Sequence, residues 1–330
     1  MSQTERLRVS VIIVNWNTQQ MLADCLSSVF AEAPSVSMQV IVIDNGSTDG
    51  SCQMCRSRFP QVELIENTDN VGFARAMNQG FAVARGDYSL MLNSDTVVLD
   101  GAIGKSIAFA DGRPEAGIVG CRLLNPDRSF QDSAFRFPGL LGLFLNAVHL
   151  SQAFRHNYVL NWDRYGFQEW SEPREVDCVM GSFMLIRRAV LEEVGLLDTD
   201  YFMYGEETDF AFRARKAGWK TFYFPGAETI HVRGGSAKDG AGRAWAYHAC
   251  WRGQLLFLCK QRGLLTGYAG NVIVASFLVP RVVCWFAADA LNSLRRRMPL
   301  QPQRLLRACS FGFHFRALLQ PRLLTQQWRR

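Results

Sequence analysis

Three clusters of short polar and acidic side chains follow apolar runs or open an amphipathic one. They are Asp44-Asn-Gly-Ser-Thr-Asp-Gly-Ser51, Asn93-Ser-Asp95 and Glu206-Glu-Thr-Asp209. In the first, Gly46 permits a tight turn before Ser47, and Asp44 is an acceptor for the imide N–H of uracil or thymine. In the second, Asn93 and Asp95 stand two residues apart, on the same side of an extended backbone. Hard cations such as Mg2+ or Mn2+ take oxygen ligands of this kind and leave other positions to water and substrate phosphates. In the third, a carboxylate projecting into a cleft removes the proton of an attacking hydroxyl, and direct displacement with one such base inverts the carbon attacked. The same carboxylates also suit helix capping and the helix dipole, and composition alone leaves both roles open. His231 precedes Gly234, Gly235 and Ser236; it is either a structural histidine or a nitrogen ligand completing a metal shell with Asp95, with the glycines allowing a loop to close. Together these are the parts that transfer from a nucleotide diphosphate carrier requires.

The elements that must position these groups begin with Val9 to Val14, a β-branched apolar run that reads as a buried strand. Gln39 to Ile43 repeats that character, Val62 to Ile65 is a third run, Phe73 to Ala84 has helical spacing, and Tyr88 to Leu92 is the next strand. Strands alternating with helices imply a mostly parallel sheet with binding groups at its carboxyl edge. From Gly117 the segments shorten, and Trp162, Tyr165, Phe167 and Trp170 crowd near Pro173 as an acceptor wall or an aromatic core. Val179 to Arg187 reads as a strand, Ala189 to Val194 as a short helix, and Thr208 to Ala217 as an amphipathic helix closed by Gly218.

With 48% hydrophobic residues in 330, the chain can bury a full α/β core. Charge is segregated: residues 261–330 hold eleven Arg, no Lys and one acidic residue, Asp289, a net +10 that leaves −4 on the rest. Such a tail faces something anionic, for which phospholipid and nucleic acid are the candidates. Residues 263–280 lack charge, near the minimum for a membrane span; Arg281 and the Arg295–Arg297 cluster favour a helix lying in the headgroup region, and a helical subdomain packed on the core remains the alternative. Nine scattered cysteines, with no apolar signal segment ahead of Val9, fit a reduced cytoplasmic setting. The Cys52–Cys55 pair has no second pair at ligand spacing and reads as core.

The ordered series Val11-Ile-Ile-Val-Asn-Trp-Asn17, Asp44 to Ser51, Asn70-Val-Gly-Phe73 with Asn78-Gln-Gly80, Leu92-Asn-Ser-Asp95, Val176-Asp177 with Gly181-Ser182, Phe202-Met-Tyr-Gly-Glu-Glu207 and His231 resembles glycosyltransferase family 2, and within it the bacterial rhamnosyltransferase-like members. The resemblance covers about Val9 to Lys260. It implies a GT-A type fold, a Rossmann-like, mostly parallel sheet flanked by helices: residues 1–115 as the nucleotide-sugar half, 116–242 as the acceptor and catalytic half, and 243–330 as a helical, Arg-rich extension. By it, Asn15, Asn17, Asp44, Gly46, Ser47, Asn70, Gly72, Asn78 and Asn93 belong to the donor side, with Asp44 on the pyrimidine. Asp95 takes the place of the metal-binding aspartate, with Asn93 where the first aspartate of the family's Asp-x-Asp usually stands. Glu207 matches the catalytic base, usually an aspartate, so either the acceptor sits slightly farther away or activity is reduced. Asp177, Gly181, Ser182 and Glu206 line the acceptor side.

The expected activity is inverting, metal-dependent transfer of a sugar, rhamnose from dTDP-rhamnose, onto a saccharide or polyprenyl-linked acceptor in cell-surface polysaccharide or glycolipid assembly, in the cytoplasm or on the inner face of its membrane. Galactofuranose, glucose and N-acetylhexosamine donors fit the same framework, as does a non-catalytic nucleotide-sugar-binding subunit. A nicotinamide oxidoreductase is disfavoured, since Asn15-Trp-Asn17 replaces a Gly-x-Gly-x-x-Gly after the first strand.

Overall fold

Near-continuous β-branched runs make strands that are buried on both faces, and the first two strands of the chain are of this kind. A computed structural model describes residues 7–233, 240–277 and 312–325. Its first part alternates β1 (Val9–Asn15), α1 (Gln19–Ala31), β2 (Met38–Asp44), α2 (Ser51–Arg58), β3 (Glu63–Glu66), α3 (Phe73–Val83) and β4 (Tyr88–Asn93). There follow β5 (Thr96–Leu99), α4 (Ala102–Asp111), β6 (Ala116–Leu124), β7 (Phe130–Gln131), β8 (Ala134–Phe135), α5 (Leu140–Ala147) and α6 (Leu150–Ala153). The chain continues through β9 (Arg174–Val176), β10 (Cys178–Val179), β11 (Phe183–Arg187), α7 (Arg188–Val194), α8 (Glu206–Lys216), β12 (Lys220–His231) and α9 (Gly240–Arg262).

The main sheet has the order β3-β2-β1-β4-β11-β6-β12-β5. Along it β1 pairs in parallel with β2 and β4, β2 with β3, and β6 with β12, whereas β11 and β5 run against their neighbours. The sheet is therefore mostly parallel, as the alternation of elements implies. Because the parallel strands share a direction, Asn15 and Asp44 come into register at one edge, and Asn93 lies opposite Val14 beside them. β11 runs the other way, so its entry rather than its exit reaches that edge: Phe183 faces Leu92, and the Asn93 N–H donates to the Ser182 carbonyl at 3.1 Å.

Helices cover both faces. One buried cluster joins Leu22, Leu26 and Ile103 to Val11, Ile13 and Leu185, and another joins Met77, Phe81 and Phe210 to Ile12, Ile43 and Met184. The expected strand from Val179 to Arg187 is interrupted. Cys178 and Val179 pair with β8, the Met180 N–H donates to Ser133, and the chain turns through Gly181 before rejoining the main sheet at Phe183. Within the aromatic crowd Tyr165 stacks edge to face on Trp170, and Trp170 on Tyr223, while Trp162 lines a cavity.

A third apolar cluster sets Trp251, Leu255, Phe257 and Leu258 of α9 against Leu143 and Ala147 of α5, with Val274 and Ala317. α9 and residues 264–277, which are helical, thus pack on the body of the protein. No helix among the described residues is long and apolar enough to cross a membrane. Residues 278–294 of the expected membrane-contacting stretch, and the glycines after His231, lie outside the described residues.

Candidate active site

At the carboxyl edge of β1 and β2 a closed polar network shapes the first loop. Asp44, 2% exposed, accepts from Asn15 Nδ2 at 2.8 Å through one oxygen and from the Ser47 N–H at 2.7 Å through the other. Ser47 Oγ accepts from the Asn17 N–H at 2.8 Å, and Asn17 Oδ1 accepts from the Thr48 N–H at 2.8 Å. Gly46 holds φ +74° beside the Asp69 backbone, where a Cβ would stand 3.0 Å from the Asp69 Cα. Each Asp44 oxygen keeps acceptor capacity, but the carboxylate already acts as the clamp of this loop.

Asn70 closes the next turn, its Oδ1 accepting from the Gly72 N–H at 3.0 Å. Gly72 has φ +90°, and a Cβ there would lie 2.8 Å from the Phe202 carbonyl, which accepts from the Phe73 N–H at 2.7 Å. The Asn70–Phe73 motif is thereby bonded to the segment leading into Glu206 and Glu207. Asn78 serves another purpose: both ends of its amide bond the Leu197 backbone, at 2.8 and 3.0 Å, fastening α3 to the loop after α7.

The turn after β4 brings three side chains together. His231 ends β12 opposite Thr96, which places its Nε2 3.4 Å from Asp95 Oδ1 and 3.5 Å from Asn93 Nδ2. All this occurs in a buried setting, with Asp95 9% and His231 6% exposed. The other ring nitrogen, Nδ1, lies 2.7 Å from Gln131 Oε1. Gln131 Nε2 donates to the His231 carbonyl at 3.0 Å and to Asn125 Oδ1 at 2.8 Å, so its oxygen must be the atom that faces the imidazole. Nδ1 therefore carries a proton, and Nε2 is the ring nitrogen that faces Asp95. Thr18 extends the network, donating to Asn15 Oδ1 at 2.6 Å and lying 2.8 Å from Ser94 Oγ.

α8 starts at Glu206 from Gly205, with no side chain capping its first turn from the N-cap position. Of its three early carboxylates, Asp209 is committed to Arg213 and Gln261 at 2.9 and 2.7 Å. Glu206 is 4% exposed, with Oε2 unpartnered. Glu207 alone keeps an open side: it is partly exposed, packs on Gly181, and folds back so that the Gly205 N–H donates to its Oε2 at 3.2 Å. Burial pushes both carboxyls above the usual carboxylate range, and the Glu207 charge raises Glu206 further. Burial likewise raises the Tyr204 phenol, with Cys250, Glu206, Glu207 and Asp95 adding to the effect.

The sheet order thus lines up Asp44, Asn15, Asn93, Ser182 with Gly181, and Glu207 on neighbouring strands and the helix behind them. At about 4.8 Å per strand, Asp44 and Asn93 stand roughly 10 Å apart, enough for a nucleotide to lie across the edge. Ser182 is 1% exposed and its Oγ unpartnered. Asp177 stands apart from this row: one oxygen accepts from the Phe137 N–H at 3.0 Å, and the other pairs with Arg215. Sequence reasoning missed Gln131, which sits in a two-residue strand with no periodicity to mark it, and Tyr204, whose signal was its place in the Phe202–Glu207 motif. Among the described residues no three His, Cys, Asp or Glu side chains gather closely enough to hold a metal by themselves, the Cys52–Cys55 pair included.

Comparison with known proteins bears on the family and the fold. The family profile described as Glycosyl transferase family 2 matches residues 10–195. An N-acetylglucosaminyl-diphospho-decaprenol L-rhamnosyltransferase of Mycobacterium tuberculosis is 33% identical over 225 residues, which are 64% of this chain and 72% of that protein. Rhamnosyltransferase WbbL of Escherichia coli is 23% identical over 247 residues, 73% of this chain and 89% of that one. Among solved structures, the mannosyltransferase PcManGT from Pyrobaculum calidifontis, in complex with GDP-Man and Mn2+, is similar in fold, with a TM-score of 0.53 at 18% identity over 96% of this chain and 88% of that one.

Proposed function

Because the chain belongs to glycosyltransferase family 2 and has its GT-A type fold, we propose that it transfers L-rhamnose from dTDP-rhamnose onto a lipid-linked saccharide by one inverting displacement. The observation that carries this proposal is that Glu207 packs on Gly181, whose neighbour Ser182 accepts from the Asn93 N–H two residues before Asp95, with His231 beside Asp95. The proposal takes its chemistry from the mycobacterial relative, whose name specifies a rhamnosyl transfer to a decaprenol-linked sugar diphosphate. Such an acceptor stays in the bilayer, and the Arg-rich C-terminal region suits peripheral attachment to the inner, anionic face of the cytoplasmic membrane.

In this proposal Glu207 takes the proton of the acceptor hydroxyl as that oxygen bonds to the anomeric carbon. The bond from that carbon to the diphosphate oxygen breaks on the opposite side, so the carbon inverts and the nucleotide diphosphate leaves. A carboxyl raised by burial is the stronger base, which favours proton removal at neutral pH. The Asn15–Thr48 network and the Asn70–Gly72 turn shape the wall along which the nucleotide lies.

The residues present fit a divalent cation, Mg2+ or Mn2+. Asp95 offers a buried carboxylate, and His231 a ring nitrogen fixed in direction by Gln131, the arrangement expected of a histidine ligand with its outer partner. Two such groups leave the remaining positions to diphosphate oxygens and water. When bound, the cation would offset the charge that develops on the departing diphosphate.

The test is nucleotide diphosphate release from dTDP-rhamnose, UDP-galactofuranose, UDP-glucose and UDP-N-acetylglucosamine, each with an N-acetylglucosaminyl-diphosphoryl prenyl acceptor. Turnover of the rhamnosyl donor at least about tenfold faster than the others is the expected result. Release from none of them would overturn the proposal, and a faster second donor would replace the sugar.

A further inference from the structure

We infer that the cavity between α5, the end of α8 and the end of α9 binds the diphosphate of a membrane-held acceptor, an inference that rests on the lipid-linked acceptor proposed above. The cavity encloses about 690 Å³ and is lined by Arg136, Arg215 and Arg262 with Asp177, together with Trp162, Phe137 and Leu140. Three guanidiniums against one carboxylate leave a local charge of +2, which matches the −2 of a diphosphate esterified at both ends. Planar guanidiniums suit that ligand because each can present two parallel N–H donors to phosphate oxygens.

The arginines are held in place before any ligand arrives. Arg136 lies over Trp162 at 3.9 Å and Tyr165 at 4.3 Å, and its Nε donates to the Trp162 carbonyl at 3.0 Å. Arg215 pairs with Asp177, whose second oxygen is fixed by the Phe137 N–H. Arg262 ends α9 beside the Phe212 ring. None of the three is needed for the proton transfer at Glu207, so their grouping calls for another purpose.

Position supports an acceptor rather than a donor role. Glu207 and Arg215 stand in the first and last turns of α8, about 12 Å apart along its axis and within about 80° of one another around it. That interval accommodates a hexose whose hydroxyl meets Glu207 and whose diphosphate reaches the arginines. Asp177 is joined to the same region through Cys178, whose Sγ lies 3.8 Å from Thr208 Oγ1. Exposed apolar side chains flank two of the cavity's lining segments: Leu140, which lines the cavity, is followed on α5 by exposed Leu141 and Phe144, and Leu264 and Leu265 stand between the lining residues Arg262 and Thr266, Leu265 with 86% of its surface in solvent. A charged hollow between two apolar ledges fits a headgroup whose hydrocarbon tail stays in a bilayer.

The experiment is calorimetric titration of the full chain with farnesyl diphosphate or inorganic pyrophosphate, with Mn2+ and saturating thymidine diphosphate covering the donor site. Farnesyl diphosphate is expected to bind at least about tenfold more tightly than pyrophosphate, because the apolar ledges add burial of hydrocarbon. Arg215→Gln/Arg262→Gln should weaken farnesyl diphosphate at least about tenfold while leaving thymidine diphosphate affinity unchanged. Arg262→Gln alone, at an exposed helix end that does not touch the Asp177 pair, should weaken it about threefold, which keeps the result readable if the double variant folds poorly. Equal farnesyl diphosphate affinity in wild type and Arg262→Gln overturns the inference, as does pyrophosphate binding as tightly as the prenyl compound. If thymidine diphosphate itself fails to bind, the donor proposal fails, and farnesyl diphosphate titrated without it still decides the cavity.

Discussion

Gln131 Oε1 stands 2.7 Å from His231 Nδ1, and that one contact determines which imidazole nitrogen faces Asp95. Gln131→Leu removes the acceptor and frees the ring to adopt the other tautomer or to turn. The expected outcome is a rise of about 10- to 100-fold in the Mn2+ or Mg2+ concentration for half-maximal activity, with little change in donor affinity at saturating metal. An unchanged metal requirement would detach Gln131 from the site.

Glu207 is the only early carboxylate of α8 with an open side. Glu207→Gln should lower kcat by about 100- to 10,000-fold while the dissociation constant for thymidine diphosphate stays within experimental error. Glu207→Asp should lose less, because the native side chain already folds back onto Gly205 and a shorter one can approach by unbending. If the Gln variant turns over at the wild-type rate, the base is elsewhere.

The paired glutamates set opposite demands on pH. A carboxyl whose folded value is raised above its ordinary 4.5 costs the fold nothing below that pH, where both states are protonated, and costs it stability as pH rises through the folded value. Glu206→Gln should therefore raise Tm at pH 8 and lose that advantage as pH falls toward 4.5. Activity should climb with pH over a range lying above 4.5, since Glu207 must be ionised to accept a proton. A Tm difference between the Gln variant and wild type that is the same at both pH values would contradict this account.

The helical layer behind α9 should loosen in acid. Burial holds the His248 imidazole down at about 4 and His314 at about 3, with the positive charge of Arg252 adding to both. Below the ordinary 6.5 the unfolded chain takes up protons that the folded chain refuses, so stability falls as pH drops from 6.5 toward 4. Hydrogen exchange of residues 246–258 should speed up across that interval more than exchange in β1 and β2. Uniform protection through the interval would count against it.

Gly72→Ala would force a side chain into φ +90° with its Cβ 2.8 Å from the Phe202 carbonyl. The expected cost is about 1–3 kcal/mol of stability, read as a lower urea midpoint, together with weaker donor binding. Gly195→Ala serves as the contrast: it carries a positive φ of 79° but has nothing within 4 Å of the added methyl, so strain without collision should leave donor binding intact. Equal loss of donor binding in the two variants would show that the Phe202 contact is immaterial.

Much of the framework could be read before any coordinates. Val9 to Val14 and Tyr88 to Leu92 announced themselves because strands buried on both faces have no polar alternation to obscure them. Asp95, Glu207 and His231 stand out as candidates in the sequence because Asp95 and His231 follow or end apolar runs and Glu207 opens an amphipathic one, and a parallel sheet gathers its binding groups at such places. Asn78 shows the limit: its amide looks suited to a ligand, yet its partner is the Leu197 backbone 119 residues away, and nothing local signals that. The break at Met180–Ser182 was hidden for a similar reason, since the bond that draws Met180 out of line comes from Ser133. Arg136, Arg215 and Arg262 belong to three separate segments, and only folding makes them neighbours.

β11, drawn from the second half of the chain, lies between β4 and β6, and β5, drawn from the first half, ends the sheet beyond β12. Cutting the polypeptide near residue 115 would strip β4 of its partner β11 and leave β5 without β12, the strand it pairs with, so neither piece should survive expression on its own. Recombination is constrained in the same way. A donor-handling portion cannot be exchanged as a cassette for that of a relative without also matching the strands it interleaves with, and new sugar preferences must instead arise by substitution within the loops that border the edge.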